Sequence, residues 1–578
     1  MSASDLPIKA INGESLSPEQ SNYLTGFFAG IQARGQRFSD FGSGLNGAPG
    51  QGGPAHEDLI FEERVKRELH PLDAYPALIE NAIGNKAPDK EELFRFKWHG
   101  LFFLTPNKEA FMARLRIPGG QLRTFQLREI ARVSKELTSG YMQITTRANF
   151  QIRLIEPKNA PEVLRSIQAV GLHTRGSGAD NIRNITANPT AGIDPCELID
   201  VLPYCHELAQ IILNDRSFYD MPRKFNIAYD GGGLVGTVED TNDIGAKAVK
   251  VGDEVFFRIS LGGATGHKAF ASDLGVLVKP AELNKVIAAI VRVFIANGDR
   301  TNRKKARLKH LLETWTLERY LEETEKLLGF KLQRSPFDPA AMVYPGEKLP
   351  HSHVGIYPQK QKGLNYVGAA VPVGNITPKQ MIRVAEIADL YGSGEVRLTV
   401  WQNFIIPNVP DHFVSTVQKA LRKIGFDTQQ SNLRSGIVAC TGNRYCKFAQ
   451  ADTKGHALAL ADYLDKRVKL DLPVNIHFTG CPNSCAQHYM GDIGLLGTKA
   501  KLGGESVDAY HVFVGGGFGS RQAVGRQVFH GIAFELLPEL MEKILRGYLR
   551  NRAPGESFQA FTASRDVNTL QAIFSNEE

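Results

Sequence analysis

Four of the chain's six cysteines fall as two spaced pairs towards its C-terminal end. Cys440 and Cys446 bracket Thr-Gly-Asn-Arg-Tyr, and Cys481 and Cys485 bracket Pro-Asn-Ser. Thiolate is a soft ligand, and four thiolates suit either a tetrahedral zinc or an iron–sulfur cluster. The spacing separates the two. Zinc knuckles place about two to four residues between paired cysteines. A gap of five followed by a distant gap of three suits a bulkier cluster cradled by two loops. The plain alternative is four unrelated core thiols, since free cysteine is often buried. Cys196 and Cys205 lack such spacing and read as packing residues.

A second set of residues is suited to hold anions. Residues 141–155 alternate with the period of a strand. Met142, Ile144, Thr146, Ala148, Phe150 and Ile152 would take one face. Gln143, Thr145, Arg147, Asn149, Gln151 and Arg153 would take the other. A face that simply met water would favour Lys, Glu and Ser; this one offers Arg, Asn and Gln with no acid, which suits directional recognition of carboxylates. Further cations follow at short intervals. Arg114 and Arg116 alternate with Ala113, Leu115 and Ile117; Arg183 sits in Asp180-Asn-Ile-Arg-Asn184; Lys224 and Asn226 share a face of 222–226 if that segment is extended. Any one of them alone is an ordinary surface residue.

The elements that must position these groups repeat. Shifted by 254 residues, the chain lines up with itself without a gap: Pro118 on Pro372, Gly120 on Gly374, Gly140 on Gly394, Thr145 on Thr399, Asn149 on Asn403 and Gly171 on Gly425. Each copy reads as strand, helix, strand, helix, with helices over 123–138 and 160–170, then 378–391 and 411–424. The copies differ where chemistry is concerned. The second counterpart of the polar face is Arg397, Thr399, Trp401, Asn403 and Ile405, with less charge, and only the second copy carries the spaced cysteines. An α+β fold of two related halves with a site between them follows, because ligands commonly bind at such junctions. Before the repeat, 18–34 is consistent with an amphipathic helix and 42–53 is a Gly-rich linker.

With these words in order the chain resembles the siroheme nitrite and sulfite reductases. The resemblance rests on Arg-Leu-Arg-Ile-Pro-Gly-Gly, Thr-Thr-Arg-Ala-Asn-Phe-Gln, Asn-Ile-Arg-Asn, Pro-Arg-Lys-Phe-Asn and both cysteine motifs, and spans nearly everything after residue 90. It implies a pseudo-twofold fold of two ferredoxin-like half-domains and two siroheme/cluster-binding domains. The expected division is 1–90 as the N-terminal segment, 91–172 and 351–428 as the half-domains, 173–350 as the substrate and siroheme side, and 429–578 as the cluster side. It further implies that Cys440, Cys446, Cys481 and Cys485 hold the cluster, with Cys485 also the axial ligand of siroheme. Arg114, Arg183, Lys224 and Asn226 would line the anion pocket. Thr145, Arg147, Asn149 and Gln151 would contact the polycarboxylate macrocycle. In this family Lys-x-Asn accompanies nitrite and Lys-x-Lys accompanies sulfite, so Lys224-Phe-Asn226 implies six-electron reduction of nitrite to ammonia, with sulfite reduction to sulfide as the alternative.

Length and charge agree with a soluble enzyme. The 578 residues suffice for about three or four domains' worth of core. No stretch approaches the roughly 20 apolar residues of a membrane span, and the first residues lack a signal pattern. A cytoplasmic monomer is expected. The net charge of +7 is small for a nucleic-acid binder, and the cysteine spacing disfavours a zinc-stabilised one. A simple electron carrier would not need the separate cationic pocket. No flavin or nicotinamide fingerprint occurs; Gly515-Gly-Gly-Phe-Gly519 lacks the required pattern. The electrons must therefore come from another protein, an acidic ferredoxin or flavodoxin that a basic surface would steer.

Overall fold

The repeat is geometric as well as sequential. The computed structural model describes residues 59–104, 109–336, 338–344 and 351–575, with a few isolated positions before residue 22. The expected helix over 18–34 lies almost wholly outside the described residues, and the Gly-rich run wholly outside. In the N-terminal unit, Met1–Leu59, the short strands Ala10–Ile11 and Glu14–Ser15 pair antiparallel. The strands and helices that carry the site belong to the unit Ile60–Glu578.

Two five-stranded sheets form the half-domains, and each borrows a strand from the other copy. The first runs Leu101–Phe103, Phe111–Arg114, Phe150–Ile155, Met142–Ile144 and ends on Asn375–Ile376 of the second copy. The second runs Gly355–Pro358, Leu364–Ala369, Phe404–Pro410, Glu395–Leu398 and ends on Gln121–Arg123 of the first copy. Asn375 faces Gln143 and Gln121 faces Arg397, pairs related by the 254-residue shift. The exchange covers an edge of each sheet that would otherwise be open to unwanted pairing. Helices Thr124–Leu137 and Pro378–Tyr391 follow the exchanged strands and pack on each other. Their inward faces, Leu127, Ile130, Ala131 and Val133 against Met381, Val384, Ala385 and Ala388, join one shared apolar core. Thr377 caps the second helix reciprocally with Gln380, and Pro378 presets its first turn. The other two expected helices are Ala160–Ala169 and Val414–Lys423.

The single strand expected over 141–155 is a hairpin. Met142–Ile144 and Phe150–Ile155 pair antiparallel and the chain reverses between them. The Thr145 hydroxyl accepts the Arg147 N–H at 3.1 Å and donates to the Asn149 side chain, while Ala148 takes φ +48°. Alternation survived in the sequence because each arm keeps its two-residue period across a short turn. The second copy repeats the device: Thr399 accepts the Trp401 N–H at 3.2 Å and Gln402 takes φ +63°. The polar side of the hairpin does not face water. Gln143 and Arg153 are each 2% exposed.

The remaining sheets share one topology. Thr186–Ala187, Ile227–Asp230 and Ile244–Val251 run parallel, then Glu254–Leu261 and Ser272–Val278 return antiparallel. In the second copy Ile437–Ala439, Ile476–Thr479 and Ile493–Leu502 run parallel, then Glu505–Val514 and Arg526–Ala533 return. Loops beyond the carboxyl ends of parallel strands are the usual place for ligands. Here residues 440–452 and 480–492 are those loops, and they hold all four spaced cysteines.

Trp401 stands where the first copy has Arg147, and imidazoles surround it. His353 stacks on it at 5.6 Å between centroids and His477 meets its edge at 6.2 Å. Burial pushes both imidazoles down to about 4, so they are neutral in the fold. In the unfolded chain they would titrate near 6.5. Their contribution is therefore complete above about pH 6.5 and is lost as pH falls from there towards 4, by up to ~1.4 kcal/mol per pH unit for each. Melting temperature should drop steeply between pH 6.5 and 5, and the double variant His353→Phe/His477→Phe should flatten that slope. A wild-type profile flat over this range would contradict the assignment.

Candidate functional site

Short segments of the first copy build one internal wall. Phe225 pairs in parallel with Ile182, and both enter the core. Their neighbours Arg183, Lys224 and Asn226 therefore project from the opposite face, as the extended reading of 222–226 required. Arg114 ends its strand opposite Gln151 and so lies beside the hairpin. Its Nη1 donates to the Ser177 carbonyl at 3.2 Å, and Arg183 Nη1 donates to the same oxygen. Two guanidiniums thus meet on one carbonyl. Burial pushes both down, and Arg114 pushes Arg183 further. The Lys224 ammonium is pushed down by burial and by Arg307, and is held up by Cys485. Arg307 is itself neutralised by Asp243 at 2.7 Å.

The hairpin turn supplies the adjoining wall. Arg147 is pushed down to about 10 by burial. It donates to the Asn242 side chain and to the Asn184 and Ile227 carbonyls at 3.3 and 3.4 Å. Among the described residues its Nε has no partner. Thr145 and Asn149 take a different place from Arg147. Asn149 is 1% exposed and its amide donates to the Leu115 carbonyl at 2.7 Å, so the two residues lock the turn from inside. Gln151 accepts from Arg153. Of the four residues expected at the macrocycle, Arg147 alone keeps a buried side-chain nitrogen without a partner among the described residues.

The second copy closes the site. Charge on Cys440, Cys446 or Cys481 raises the Cys485 thiol, which places the four sulfurs in one neighbourhood. Cys485 is solvent-accessible, yet burial is the largest cause pushing its thiol up. The Thr146 hydroxyl donates to the Cys485 carbonyl at 2.9 Å, joining the hairpin of one copy to the cysteine loop of the other. Arg153 donates to the Thr441 hydroxyl at 2.8 Å, beside Cys440. Cys205 is buried, as expected of a packing thiol, and Cys196 is exposed.

The residues fit the two groups that the motifs imply. Arg114, Arg147, Arg183 and Lys224 line this region half-buried, Arg153 and Lys454 are buried beside it, and none forms a salt bridge with a carboxylate among the described residues. An enclosed, unpaired charge costs several kcal/mol. A polycarboxylate macrocycle and a cluster held by four thiolates would supply the missing negative charge. Sequence reasoning passed over Thr146 and Lys454 as ligand-side residues. Thr146 sat on the face assigned to the core, and Lys454 carried no motif.

Comparison with known proteins decides the family. The model of the nitrite and sulphite reductase 4Fe–4S domain matches residues 178–332 and 430–571. That of the nitrite/sulfite reductase ferredoxin-like half domain matches 105–170 and 357–424. The chain belongs to the nitrite and sulfite reductase family. It is similar to a ferredoxin–nitrite reductase of Synechococcus elongatus, 37% identical over 500 residues, 85% of this chain and 96% of that protein. It is also similar to a ferredoxin sulfite reductase of Mycolicibacterium paratuberculosis, 31% identical over 549 residues, 89% of this chain and 96% of that one. The solved structure of the Mycobacterium tuberculosis NirA protein superposes with a TM-score of 0.83 at 29% identity, covering 89% of this chain and 97% of that one. The family carries the siroheme and 4Fe–4S cluster for which the enclosed cations leave room.

Arg147→Glu places an acid on the wall expected to meet macrocycle carboxylates. The purified variant should lose most of its siroheme, read as the ratio of Soret to protein absorbance. A ratio equal to wild type would remove Arg147 from the cofactor wall.

Proposed function

We propose that this chain catalyses the six-electron reduction of nitrite to ammonia, with siroheme and a 4Fe–4S cluster as cofactors and a ferredoxin as donor. The convergence of Arg114 and Arg183 on the Ser177 carbonyl, without a carboxylate and beside Lys224, carries this reading. It is an anion site adjoining the cysteine expected to be the axial ligand. When bound, siroheme supplies the metal position at which nitrogen is held and reduced, and the cluster relays single electrons to it.

The chain's own residues do the rest. Arg114 and Arg183 present fixed N–H donors to the oxygens of a small anion, so negative charge developing there as N–O bonds weaken meets preorganised donors in a dry site. Lys224, with its ammonium pushed down, gives a proton from Nζ more readily than a free lysine. Asn226 offers an uncharged amide where a second lysine would add a cation, which suits the smaller, singly charged anion. In this reading 91–172 and 351–428 are the half-domains, 173–350 is the substrate and siroheme side, and 429–578 is the cluster side.

Electrons enter most directly at the Cys446 loop. Cys446 is half-exposed, and the next two residues, Lys447 and Phe448, face solvent. Phe448 is 57% exposed with the Lys447 ammonium 5.4 Å from its ring centroid. An apolar ring under a cation suits an acidic ferredoxin, with flavodoxin as the variant donor. Among the described residues no helix is long and apolar enough to cross a membrane. A cytoplasmic monomer that does not engage nucleic acid completes the proposal.

Sulfite reduction is the second reading, favoured by the mycobacterial relative. Assays with reduced methyl viologen separate the two. Wild type should show the higher kcat/KM with nitrite. Asn226→Lys should shift the sulfite-to-nitrite ratio about tenfold towards sulfite, since one added contact is worth roughly 1–3 kcal/mol of discrimination. Wild-type preference for sulfite would transfer the assignment. Lys447→Glu should raise KM for ferredoxin several-fold at low salt, with the difference shrinking at high salt. The loss should be confined to the ferredoxin-driven rate; an equal loss with methyl viologen would place Lys447 outside the docking face.

A further inference from the structure

Lys454 occupies a position that ordinary stability arguments disfavour three times over. It is 5% exposed, it lies in the first turn of the helix Thr453–Asp465, and it neighbours the enclosed guanidinium of Arg153. A helix N-terminus carries partial positive charge and repels a cation there. Burial, with Cys440 opposing it and Arg153 adding to it, leaves the ammonium pushed down to about 7. Arg153 is 2% exposed, with Gln143, Gln151 and Thr441 as its hydrogen-bonding partners. Neither cation has a carboxylate partner among the described residues. The hydrogen bond that holds Lys454 runs to the Val373 carbonyl.

The internal repeat shows what is peculiar to this corner. Helices Leu202–Asn214 and Thr453–Asp465 are counterparts of equal length, which sets Pro203 in the place of Lys454. By the 254-residue shift, Arg153 corresponds to Pro407. Both cations are therefore absent from the counterpart corner, the one without spaced cysteines. On the cysteine side they adjoin Cys440. The Gly480 N–H donates to the Cys440 sulfur at 3.2 Å, the Thr453 hydroxyl donates to the Cys440 carbonyl at 2.8 Å, and Arg153 reaches Thr441. Hydrogen bonds to sulfur, net charge and burial are the levers by which a protein sets a cluster's potential.

We propose that Lys454 and Arg153 act as a pair of buried cationic groups that raises the reduction potential of the 4Fe–4S cluster. The inference rests on the cluster reading of the four cysteines. An external one-electron donor, the reduced ferredoxin or a dye, gives up one electron, and the cluster with its four thiolates passes from a dianion to a trianion. No bond in the protein forms or breaks. Cations in a low-dielectric surrounding favour the trianion more than the dianion, so the pair pulls electrons onto the cluster. Lys454 is thus a positioning residue that acts through its field, without contact with nitrite.

A merely structural role is the competing account, because Val373 takes φ +47° and Lys454 bonds its carbonyl. A β-branched residue in that region is strained and needs support. Lys454→Gln separates the two accounts: it keeps a donor for the Val373 carbonyl and removes the charge. The measurement is an EPR-monitored redox titration of the purified holoenzyme, with iron and labile sulfide counted first. The cluster of Lys454→Gln should become at least tenfold harder to reduce, a fall of about 59 mV for one electron. Lys454→Arg should restore the wild-type midpoint. A full iron count with an unchanged midpoint in Lys454→Gln overturns the proposal. If that variant does not retain iron, Arg153→Gln probes the same field from the hairpin side, and an unchanged midpoint there overturns it equally. Wild type without labile sulfide would be a different result, ending the cluster reading itself.

Discussion

Positive charge enclosed without a protein counter-charge is the constraint on which the rest of this structure depends. Arg114, Arg147, Arg153, Arg183, Lys224 and Lys454 gather around one internal region, and the described residues supply none of them with a salt bridge. A chain would not keep such an arrangement for stability, since burying an unpaired charge, as at Arg153 and Lys454, costs several kcal/mol. The surrounding frame must resist the mutual repulsion. It does so with backbone: Arg183 is held by the Ser177 and Ala179 carbonyls, and Arg116 by those of Arg175, Gly176, Ile182 and Arg183. Carbonyl oxygens orient guanidiniums without neutralising them. The net charge thus remains available to cofactors and substrate.

The two copies show how one scaffold can be charged in one place and closed in another. Asn181-Ile-Arg183 and Asn432-Leu-Arg434 are matching words, but Arg434 is ion-paired to Asp462 and Asp465 on the surface side. Asp243 and Asp492 hold matching backbone amides, those of Asn226 and Asn475, at 2.8 and 2.9 Å. Asp243 has Arg307 opposite it; Asp492 has no such ion pair among the described residues, and burial pushes its carboxyl up to about 6. Where the first copy has Arg147, the second has Trp401 packed by His353, His477 and Phe518. Aromatic and neutral imidazole rings fill what would otherwise be a second cationic wall. The fold is pseudo-symmetric and the chemistry is single.

Much of this was legible in the sequence, because its strongest signals were spacings. The cysteine gaps separated a cluster from zinc, and the 254-residue shift foretold both half-domain sheets and their helices. The exchanged strands were not legible: Gln121–Arg123 and Asn375–Ile376 are too short to carry a period, and their partners lie in the other copy. The hairpin was read as one strand because the turn preserves alternation. Polar residues on one nominal face then looked equivalent. Thr145 and Asn149 turned inward to lock the turn, whereas Arg147 met the cavity. Lys454 was invisible for another reason: a lysine in a helical first turn is ordinarily a solvated residue, and only its enclosure gives it meaning.

The exchange between copies also explains why the site can be exact although its parts are distant in sequence. The substrate wall belongs to the first copy and the cysteines to the second, so their relative placement is an interface property. Two of the contacts that fix it at short range are Thr146 on the Cys485 carbonyl and Arg153 on Thr441. Each ties a half-domain turn or strand to a cysteine loop. The shared apolar core beneath the two half-domain sheets makes these anchors one body, since close-packed interiors transmit strain and do not absorb it. A shift of either copy would move Cys485 away from Arg114 and Arg183 and Thr441 away from Arg153 together. Electron delivery and anion binding are therefore held in register by the same packing, and neither can be retuned by moving a domain. Only the side chains on the walls remain free to set which anion is reduced and at what potential.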